Sequence, residues 1–179
     1  MEKETLLYQQ CIAGEPKAQE ALFNLYAPKM LGVCFRYTRS IMEAEDVLQE
    51  GFIKVFKYLN SFKNEGSLEG WIRKIMVNTS LNHIKKNKHI AEELEIEKAI
   101  GLEADHDTAI QNYDSKLIME ALQALPDGYR VILNLFAIEG YSHKEIADSL
   151  GIAESTSRSQ FLRAKVVLKR ILEEKHIKI

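Results

Sequence analysis

The sequence predicts an all-α fold of two small helical domains joined by an acidic linker. Apolar residues recur at three- and four-residue intervals through most of the 179 residues, which is the period of helices with one buried face. No stretch shows the two-residue alternation of a strand, and the chain holds only three prolines. The helical period weakens at 89–112, where acidic residues accumulate. We therefore predict an N-terminal helical bundle at 1–88 and a C-terminal module at 113–179.

The charged residues are segregated along the chain. The formal net charge is −2, which is unusual for a protein that binds nucleic acid. However, residues 70–91 and 155–172 contain no acidic residue, whereas 91–114 contain eight acidic residues and the single basic residue Lys98. The sequence thus predicts two basic faces separated by an acidic connector.

The N-terminal domain is expected to contain four helices, at about 4–13, 17–39, 42–59 and 71–86. Pro28 lies inside the second helix, where proline can bend the backbone. The expected core side of this second helix comprises Ala21, Leu22, Leu25, Tyr26, Leu31, Cys34 and Phe35.

The third predicted helix has an apolar stripe and a polar face. The expected buried stripe is Ala44, Val47, Leu48, Phe52, Val55, Phe56 and Leu59. The opposite face carries Asp46, Gln49, Glu50, Ile53 and Lys57. An exposed isoleucine among polar residues is a weak indication of a protein contact.

The fourth predicted helix follows a polar loop that ends in Ser67, a residue suited to capping. Its expected buried residues are Ile72, Ile75, Met76 and Thr79, and its opposite face carries Lys74, Asn78, Asn82 and Lys85. Asparagine and lysine suit base edges and phosphates. From these residues alone, a solvated basic face is an equally good interpretation. Trp71 is interpreted as a packing residue rather than a platform for base stacking.

The C-terminal domain begins near Tyr113 with a helix that carries Leu117, Ile118, Ala121 and Leu122 and ends near Leu125. Pro126 is expected at the first position of the next helix, where its missing N–H costs nothing. The core face of that helix is Val131, Ile132, Leu135 and Phe136, and Gly140 ends it.

Residues 139–170 predict a helix-turn-helix. Ser142 and Glu145 have the spacing of a capping box. Gly151 is expected to end the first helix in a left-handed conformation. The second helix, from about Glu154, carries a basic face of Ser155, Arg158, Ser159, Arg163 and Lys165. A short helix, a glycine turn and a basic helix have the shape that enters the major groove of DNA. A plain helical hairpin with a solvated basic face is the alternative.

The residues indicate no catalytic site. The histidines are dispersed, and His143 is interpreted as an ordinary exposed residue in a capped first turn. Asp46 and Glu50 resemble half of a carboxylate metal site, but no Glu-x-x-His motif accompanies them. Cys11 and Cys34 show no metal-ligand spacing, so we expect a reduced cytoplasmic setting and leave a redox pair open. We therefore expect no enzyme activity, metal or cofactor. We also expect a soluble cytoplasmic protein, because no signal peptide or membrane span is visible.

Two stretches together resemble one protein family. Residues 43–86, from Glu43-Ala44-Glu45-Asp46 to Lys86, resemble the second conserved region of bacterial sigma factors. Residues 125–165 resemble their fourth region. The order, the spacing and the absence of other domains resemble the extracytoplasmic-function group, which contains the smallest sigma factors.

The resemblance assigns roles to matching positions. It implies that Asp46, Gln49, Glu50 and Ile53 contact core RNA polymerase. It also implies that one loop and one helix face bind the minus-ten promoter element, where a base is unstacked from a single strand. The residues of this loop and face are Phe62, Lys63, Asn64, Ser67, Lys74, Asn78, Asn82, Lys85 and Lys86. The minus-thirty-five element would be read by Arg158, Ser159 and Arg163, with Ser155, Thr156 and Lys165 placed for phosphates.

Four positions depart from the family pattern. Asn82 and Lys85 stand where aspartate and arginine are frequent, and lysine lacks the planar fork of arginine. Ala153 replaces a serine or threonine cap, a loss of about 1 kcal/mol. Gly70, in the first turn of the fourth helix, weakens helix formation by up to about 1 kcal/mol. These departures bear on which promoter bases are read.

The resemblance implies a sigma factor that binds core polymerase, recognises two promoter elements and helps to open the duplex. Its partners would be core RNA polymerase, promoter DNA and a cognate anti-sigma factor, and the free protein would be a monomer. The linker would thread the polymerase cleft. Two alternatives remain: a helix-turn-helix regulator that acts without polymerase, and a helical adaptor that binds a protein and no nucleic acid.

Overall fold

The computed structural model describes residues 2–63, 65–87 and 115–174. All regular structure in these ranges is helical, so the predicted all-α class is confirmed. The chain divides into two compact units, residues 1–86 and 87–179. The predicted linker at 89–112 lies outside the described residues, and its boundaries stay a prediction.

The N-terminal unit consists of four helices and a short turn: α1 (Glu2–Ile12), α2 (Pro16–Phe35), α3 (Ile41–Tyr58), a 3₁₀ turn (Leu59–Ser61) and α4 (Leu68–Asn87). Local chemistry sets the helix starts. Pro16 opens α2, and the Ser40 side chain caps α3 by accepting from the Glu43 backbone N–H. Ser67 Oγ accepts from the Gly70 N–H, as expected of a cap at the start of α4. Pro28 lies within α2 without ending it.

The core stripe of α2 differs from the expected one. Leu25 is 57% exposed and Ala21 is also exposed. The buried residues are Ala18, Leu22, Tyr26, Ala27, Met30, Val33 and Cys34. Positions 18, 22, 26, 30 and 33 follow one side of a helix of 3.6 residues per turn, and positions 21 and 25 are rotated away from it. Both sets of residues have helical spacing, so the packing partners decide which one is buried.

Helices α3 and α4 approach closely at a glycine. A Cβ on Gly51 would lie 2.3 Å from Met76 Sδ, in a fully buried contact. Phe56 and Ile75, both expected in the core, are only partly buried.

The cysteines Cys11 and Cys34 are free and buried. Burial raises the pKa of Cys34 to about 11 and also raises the pKa of Cys11. Since the thiolate is the reactive species, neither side chain has the environment of a reactive thiol at neutral pH. No described helix is both long enough and apolar enough to cross a membrane.

The C-terminal unit contains α5 (Ser115–Gln123), α6 (Asp127–Leu133), a π turn (Asn134–Ile138), α7 (His143–Leu150) and α8 (Glu154–Glu174). Pro126 is the residue before α6 and has extended backbone angles, so it stands one position earlier than expected. The π turn was not predicted, because its extra residue per turn leaves no pattern in the apolar spacing.

The helix-turn-helix is formed as predicted by α7 and α8. Ser142 and Glu145 form both bonds of a capping box, and Gly151 ends α7 with a left-handed φ of 73°. Ile146, Ala147 and Leu150 are buried. Helix α8 begins directly after Ala153, which has no side-chain oxygen for capping.

Candidate nucleic-acid interface

One exposed line of α3 combines apolar and acidic side chains. Met42 is 72% exposed and Ile53 is 68% exposed. Asp46 and Gln49 are also exposed, and the intervals of four, three and four residues place all four side chains on one side of the helix. We call these four residues the α3 stripe. Met42 was missed at the sequence level because it precedes the motif that carries the resemblance.

Glu50 is placed differently from the α3 stripe. Its carboxylate accepts a hydrogen bond of 2.7 Å from Lys54 Nζ, which also lies 3.2 Å from Thr79 Oγ1 on α4. The Lys54 hydrogen bond is the main cause that lowers the pKa of Glu50, and the charges of Lys86 and His83 act in the same direction. Glu50 therefore lies at the junction of α3 and α4, where Lys54 connects the two helices.

Helix α4 has the expected basic face. The exposed side chains are Lys74, Asn78, Asn82, Lys85 and Lys86. The opposite side is buried through Ile72, Met76, Thr79 and Ser80. This arrangement presents amides between lysines, a combination that suits base edges and the phosphate backbone of nucleic acid.

The loop before α4 corrects one expectation. The Phe62 side chain is only 9% exposed, because it packs between Tyr8 and Trp71 with ring centroids 5.8 Å and 5.7 Å away. Phe62 is therefore a packing residue here, not an exposed contact for DNA. Trp71 belongs to the same cluster, as its interpretation as a packing residue predicted. Lys63 is exposed, Ser67 serves as the cap, and Asn64 lies outside the described residues.

Helix α8 brings most of its expected residues to one face. Ser155, Arg158 and Lys165 are exposed, and Ser159 and Arg163 are partly buried. Leu162, which is 40% exposed, lies between Arg158 and Ser159 around the helix. Nothing in the sequence distinguishes Leu162 from the many other apolar residues at helical spacing.

The side chain of Thr156 is not on this face. It is 5% exposed, which contradicts the expected phosphate contact. Thr156 precedes Gln160, Ala164 and Leu168 at four-residue intervals, and all of these are buried. The Thr156 side chain therefore lies on the buried side of α8, where it is inaccessible to a phosphate of bound DNA.

Contacts within α8 hold its polar face. Arg158 forms an ion pair with Glu154 one turn earlier, and Ser159 Oγ donates to the Thr156 carbonyl at 3.0 Å. Lys165 Nζ lies 5.8 Å from the centre of the Phe161 ring. Glu154 therefore holds the Arg158 guanidinium on the exposed face, and the acid-free run begins immediately after it.

His143 is not an ordinary exposed side chain, contrary to the sequence interpretation. Its ring stacks on Phe136 at 4.2 Å between centroids, and its Nδ1 lies 3.0 Å from Ser157 Oγ. Desolvation by burial and the charge of Arg158 lower its pKa, and Glu154 acts in the opposite direction. The sequence shows no sign of the contact between His143 and Ser157, because these residues lie fourteen positions apart.

The described residues contain no group of three or more His, Cys, Asp or Glu side chains that could hold a metal ion. Asp46 and Glu50, the candidate half of a metal site, point to different surroundings: Asp46 is exposed on the α3 stripe and Glu50 is bonded to Lys54.

Comparison with known proteins identifies the family. Residues 22–90 match the family profile of Sigma-70 region 2, and residues 115–168 match that of Sigma-70, region 4. The chain is 28% identical to the RNA polymerase sigma-H factor of Pseudomonas aeruginosa, over 96% of this chain and 95% of that protein. It is 27% identical to the ECF RNA polymerase sigma factor SigW of Bacillus subtilis, over 90% of this chain and 92% of that one.

A solved structure has a similar fold. The sigma factor RpoE of Bartonella quintana, determined in complex with the anti-sigma factor NepR, matches with a TM-score of 0.53 and 22% identity, over 86% of this chain and 96% of that chain. The two regional matches include the basic faces of α4 and α8. The chain therefore belongs to the sigma-70 family, in its extracytoplasmic-function group.

Proposed function

We propose that this chain directs bacterial RNA polymerase to specific promoters by binding the core enzyme and reading two promoter elements. The observation that carries the proposal is the presence of two basic helix faces, on α4 and α8, in the two matched regions of one chain. A sigma factor is an initiation factor that acts on polymerase and DNA, and it is not itself the catalyst.

The α3 stripe is the proposed contact with core RNA polymerase. Met42 and Ile53 offer apolar area and Asp46 offers charge, a combination typical of a specific protein interface. Gln49 lies between them, and Glu50 supports the stripe from the junction with α4. The occupant expected here is a polymerase helix with basic and apolar side chains.

The face of α4 is the proposed contact with the minus-ten element. Asn78 and Asn82 can hydrogen-bond the edges of unstacked bases, while Lys74, Lys85 and Lys86 neutralise backbone phosphates. Lys63 and Ser67 border this face at the end of the preceding loop, and Asn64 is proposed from the family resemblance alone. We leave Phe62 out because it is buried.

The face of α8 is the proposed contact with the minus-thirty-five element. Arg158 and Arg163 are candidates for bidentate contacts with guanine, and Ser159 is a smaller donor and acceptor beside them. Ser155 and Lys165 flank this set and suit phosphates. We leave Thr156 out because its hydroxyl faces the core.

The remaining partners follow from the same role. We propose that the chain works in the cytoplasm, is monomeric when free, and is held inactive by a cognate anti-sigma factor. The acidic segment 89–112 would connect the two DNA contacts through the polymerase cleft.

Reconstitution with core polymerase tests the proposal. The full chain is added to bacterial core enzyme on supercoiled genomic DNA, and transcript 5′ ends are sequenced, with core enzyme alone as the control. We expect a stable complex with core and a set of start sites that share two upstream sequence elements.

The alternatives predict other results. Specific binding of the free chain to duplex DNA, with no complex with core, would support a regulator that acts without polymerase. Binding to neither core nor DNA would support a protein adaptor. Either result, together with the absence of specific transcripts, would refute the sigma-factor proposal.

A further inference from the structure

The ring of His143 joins three elements of the C-terminal unit. It stacks almost parallel on Phe136 of the π turn, with a 12° angle between the planes. Its edge contacts Phe161 of α8 at 5.8 Å between centroids, and Phe136 and Phe161 themselves lie 4.5 Å apart. The imidazole therefore fills the angle between the first turn of α7 and the first turns of α8.

Ser157 is the polar partner of this ring. Its side chain is 0% exposed, and its Oγ lies 3.0 Å from His143 Nδ1. A buried polar group left without a partner costs about 1–3 kcal/mol, so the bond constrains both side chains. Ser157 immediately precedes Arg158 in the first turn of α8, and His143 immediately follows the capping residue Ser142.

We infer that His143 is a positioning residue for promoter recognition: through Ser157 it fixes the first turn of α8 against α7, and thereby aims Arg158 and Ser159. This inference rests on the proposed function, because it presupposes that α8 reads DNA. A recognition side chain has to be held within about 0.5 Å of its working geometry by the residues that support it. His143 supplies that support from a neighbouring helix.

The charges around the ring are compatible with a neutral imidazole. Desolvation by burial lowers the pKa of the ring, the charge of Arg158 on α8 lowers it further, and Glu154 on α8 acts in the opposite direction. The π turn, residues 134–138, contains no titratable side chain. Lys144 and Glu145 follow on α7 itself, and Glu145 is bonded to Ser142. A neutral ring has one donor and one acceptor nitrogen, and the Ser157 hydroxyl can pair with Nδ1 in either role.

Two substitutions at His143 separate the hydrogen bond from the ring stacking. His143→Asn keeps a polar group at about the place of Nδ1 but loses the ring. His143→Phe keeps a ring on Phe136 but loses the polar group. Ser157→Ala removes the partner hydroxyl, and the double variant His143→Phe/Ser157→Ala completes the cycle.

The experiment uses the full chain bound to core polymerase and a promoter mapped from wild-type transcripts. The readout is the ratio of affinities for this promoter and for the same DNA with a scrambled upstream element. Coupling within a hydrogen-bonded pair predicts that His143→Phe and Ser157→Ala each lower the ratio about three- to tenfold, and the double variant by no more than that. His143→Asn is expected to stay within about twofold of wild type. Thermal unfolding checks that each variant is folded.

Three results would overturn the inference: wild-type discrimination in His143→Phe, equal losses in His143→Asn and His143→Phe, or additive losses in the double variant. In all three, wild-type protein still directs specific transcripts, so the proposed function survives. If wild type itself directs none, the proposed function fails and this inference fails with it.

Discussion

Helices α4 and α8 are both proposed to read DNA, and each is braced by a polar side chain from a neighbouring helix. On α4, Lys54 reaches across from α3 and bonds the buried Thr79 hydroxyl at 3.2 Å. On α8, His143 from α7 bonds the buried Ser157 hydroxyl at 3.0 Å. The first support is a primary amine and the second is an imidazole, whose pKa is lowered by burial and by the charge of Arg158.

The two supports also differ in what else they hold. Lys54 bonds Glu50 as well as Thr79, so one side chain braces α4 and borders the α3 stripe proposed for core polymerase. The ring contacts and the hydrogen bond of His143 join residues of the helix-turn-helix and the π turn. Substitution of Lys54, the N-terminal support, should therefore affect the binding of both polymerase and DNA. Substitution of His143, the C-terminal support, should affect promoter discrimination alone.

The largest expected effect is on the α3 stripe. Asp46→Arg replaces the charge offered to a basic partner, and like-charge contacts at an interface cost several kcal/mol. We expect binding to core polymerase to weaken at least about tenfold, as measured by competition with the wild-type chain. Asp148→Arg makes the same change at an exposed site on α7 and should leave core binding unaltered. Equal behaviour of the two variants would remove Asp46 from the interface.

Arg158→Ala tests the DNA-reading face of α8. If Arg158 contacts a base through both nitrogens, the variant should lose about 1–3 kcal/mol of discrimination between promoter and random DNA. Lys85→Ala on α4 should instead weaken binding to all sequences and reduce the salt dependence, as expected of a phosphate contact. Quantitative filter binding at several salt concentrations distinguishes the two. An equal loss on promoter and random DNA would assign Arg158 to phosphates as well.

The contact between α3 and α4 can be tested at Gly51. Because a Cβ there would lie 2.3 Å from Sδ of the buried Met76 side chain, Gly51→Ala should cost about 1–3 kcal/mol through overpacking of the N-terminal unit. A gain in helix propensity of up to about 1 kcal/mol offsets part of this cost. Gly32→Ala is the matched control on α2, where an added Cβ meets no atom within 4 Å. Since alanine favours helix over glycine, the control should stabilise by up to about 1 kcal/mol. Chemical denaturation measures both, and a neutral Gly51→Ala would show that Met76 moves aside freely.

Removal of the N-terminal support should have a smaller effect. Lys54→Met keeps an apolar stem but deprives Thr79 and Glu50 of a shared donor, at a cost of about 1 kcal/mol. In the wild type, the lowered pKa of Glu50 contributes stability above the ordinary carboxyl pKa, and this contribution is lost as the pH falls through the lowered value. The variant should therefore be less stable at pH 7 and show a weaker acid dependence by denaturant titration. An unchanged acid dependence would mean that Lys54 does not set the Glu50 pKa.

The smallest expected effect is the pH dependence at His143. Because the folded state lowers its pKa, the unfolded chain binds the proton more readily. The stability due to the neutral ring is thus complete above the ordinary pKa of about 6.5 and declines as the pH falls below it. Comparison of wild type with His143→Asn by denaturation between pH 7.5 and 5 isolates this contribution. If stability fell more steeply with pH in His143→Asn than in the wild type, His143 would not be the source of this pH dependence.

Features that depend only on residues close together in the chain were predictable from the sequence. The capping box of Ser142 and Glu145, the left-handed Gly151 and the exposure of Asp46, Gln49 and Ile53 on α3 were predicted correctly. Each depends on backbone bonds within a turn or on spacing along one helix, and both are visible in a short stretch. The helical class followed for the same reason.

Packing between helices sets which of two faces with helical spacing is buried and which polar side chains form hydrogen bonds. Thr156 is buried and Leu25 is exposed, and Phe62 packs against Tyr8, which lies fifty-four positions away in the chain. His143 and Lys54 found their hydroxyl partners on other helices. Helical periodicity specifies a repeat but not its rotation about the axis. That rotation is set by the apolar surface of the neighbouring helices, because burial is favourable in proportion to the area removed from water.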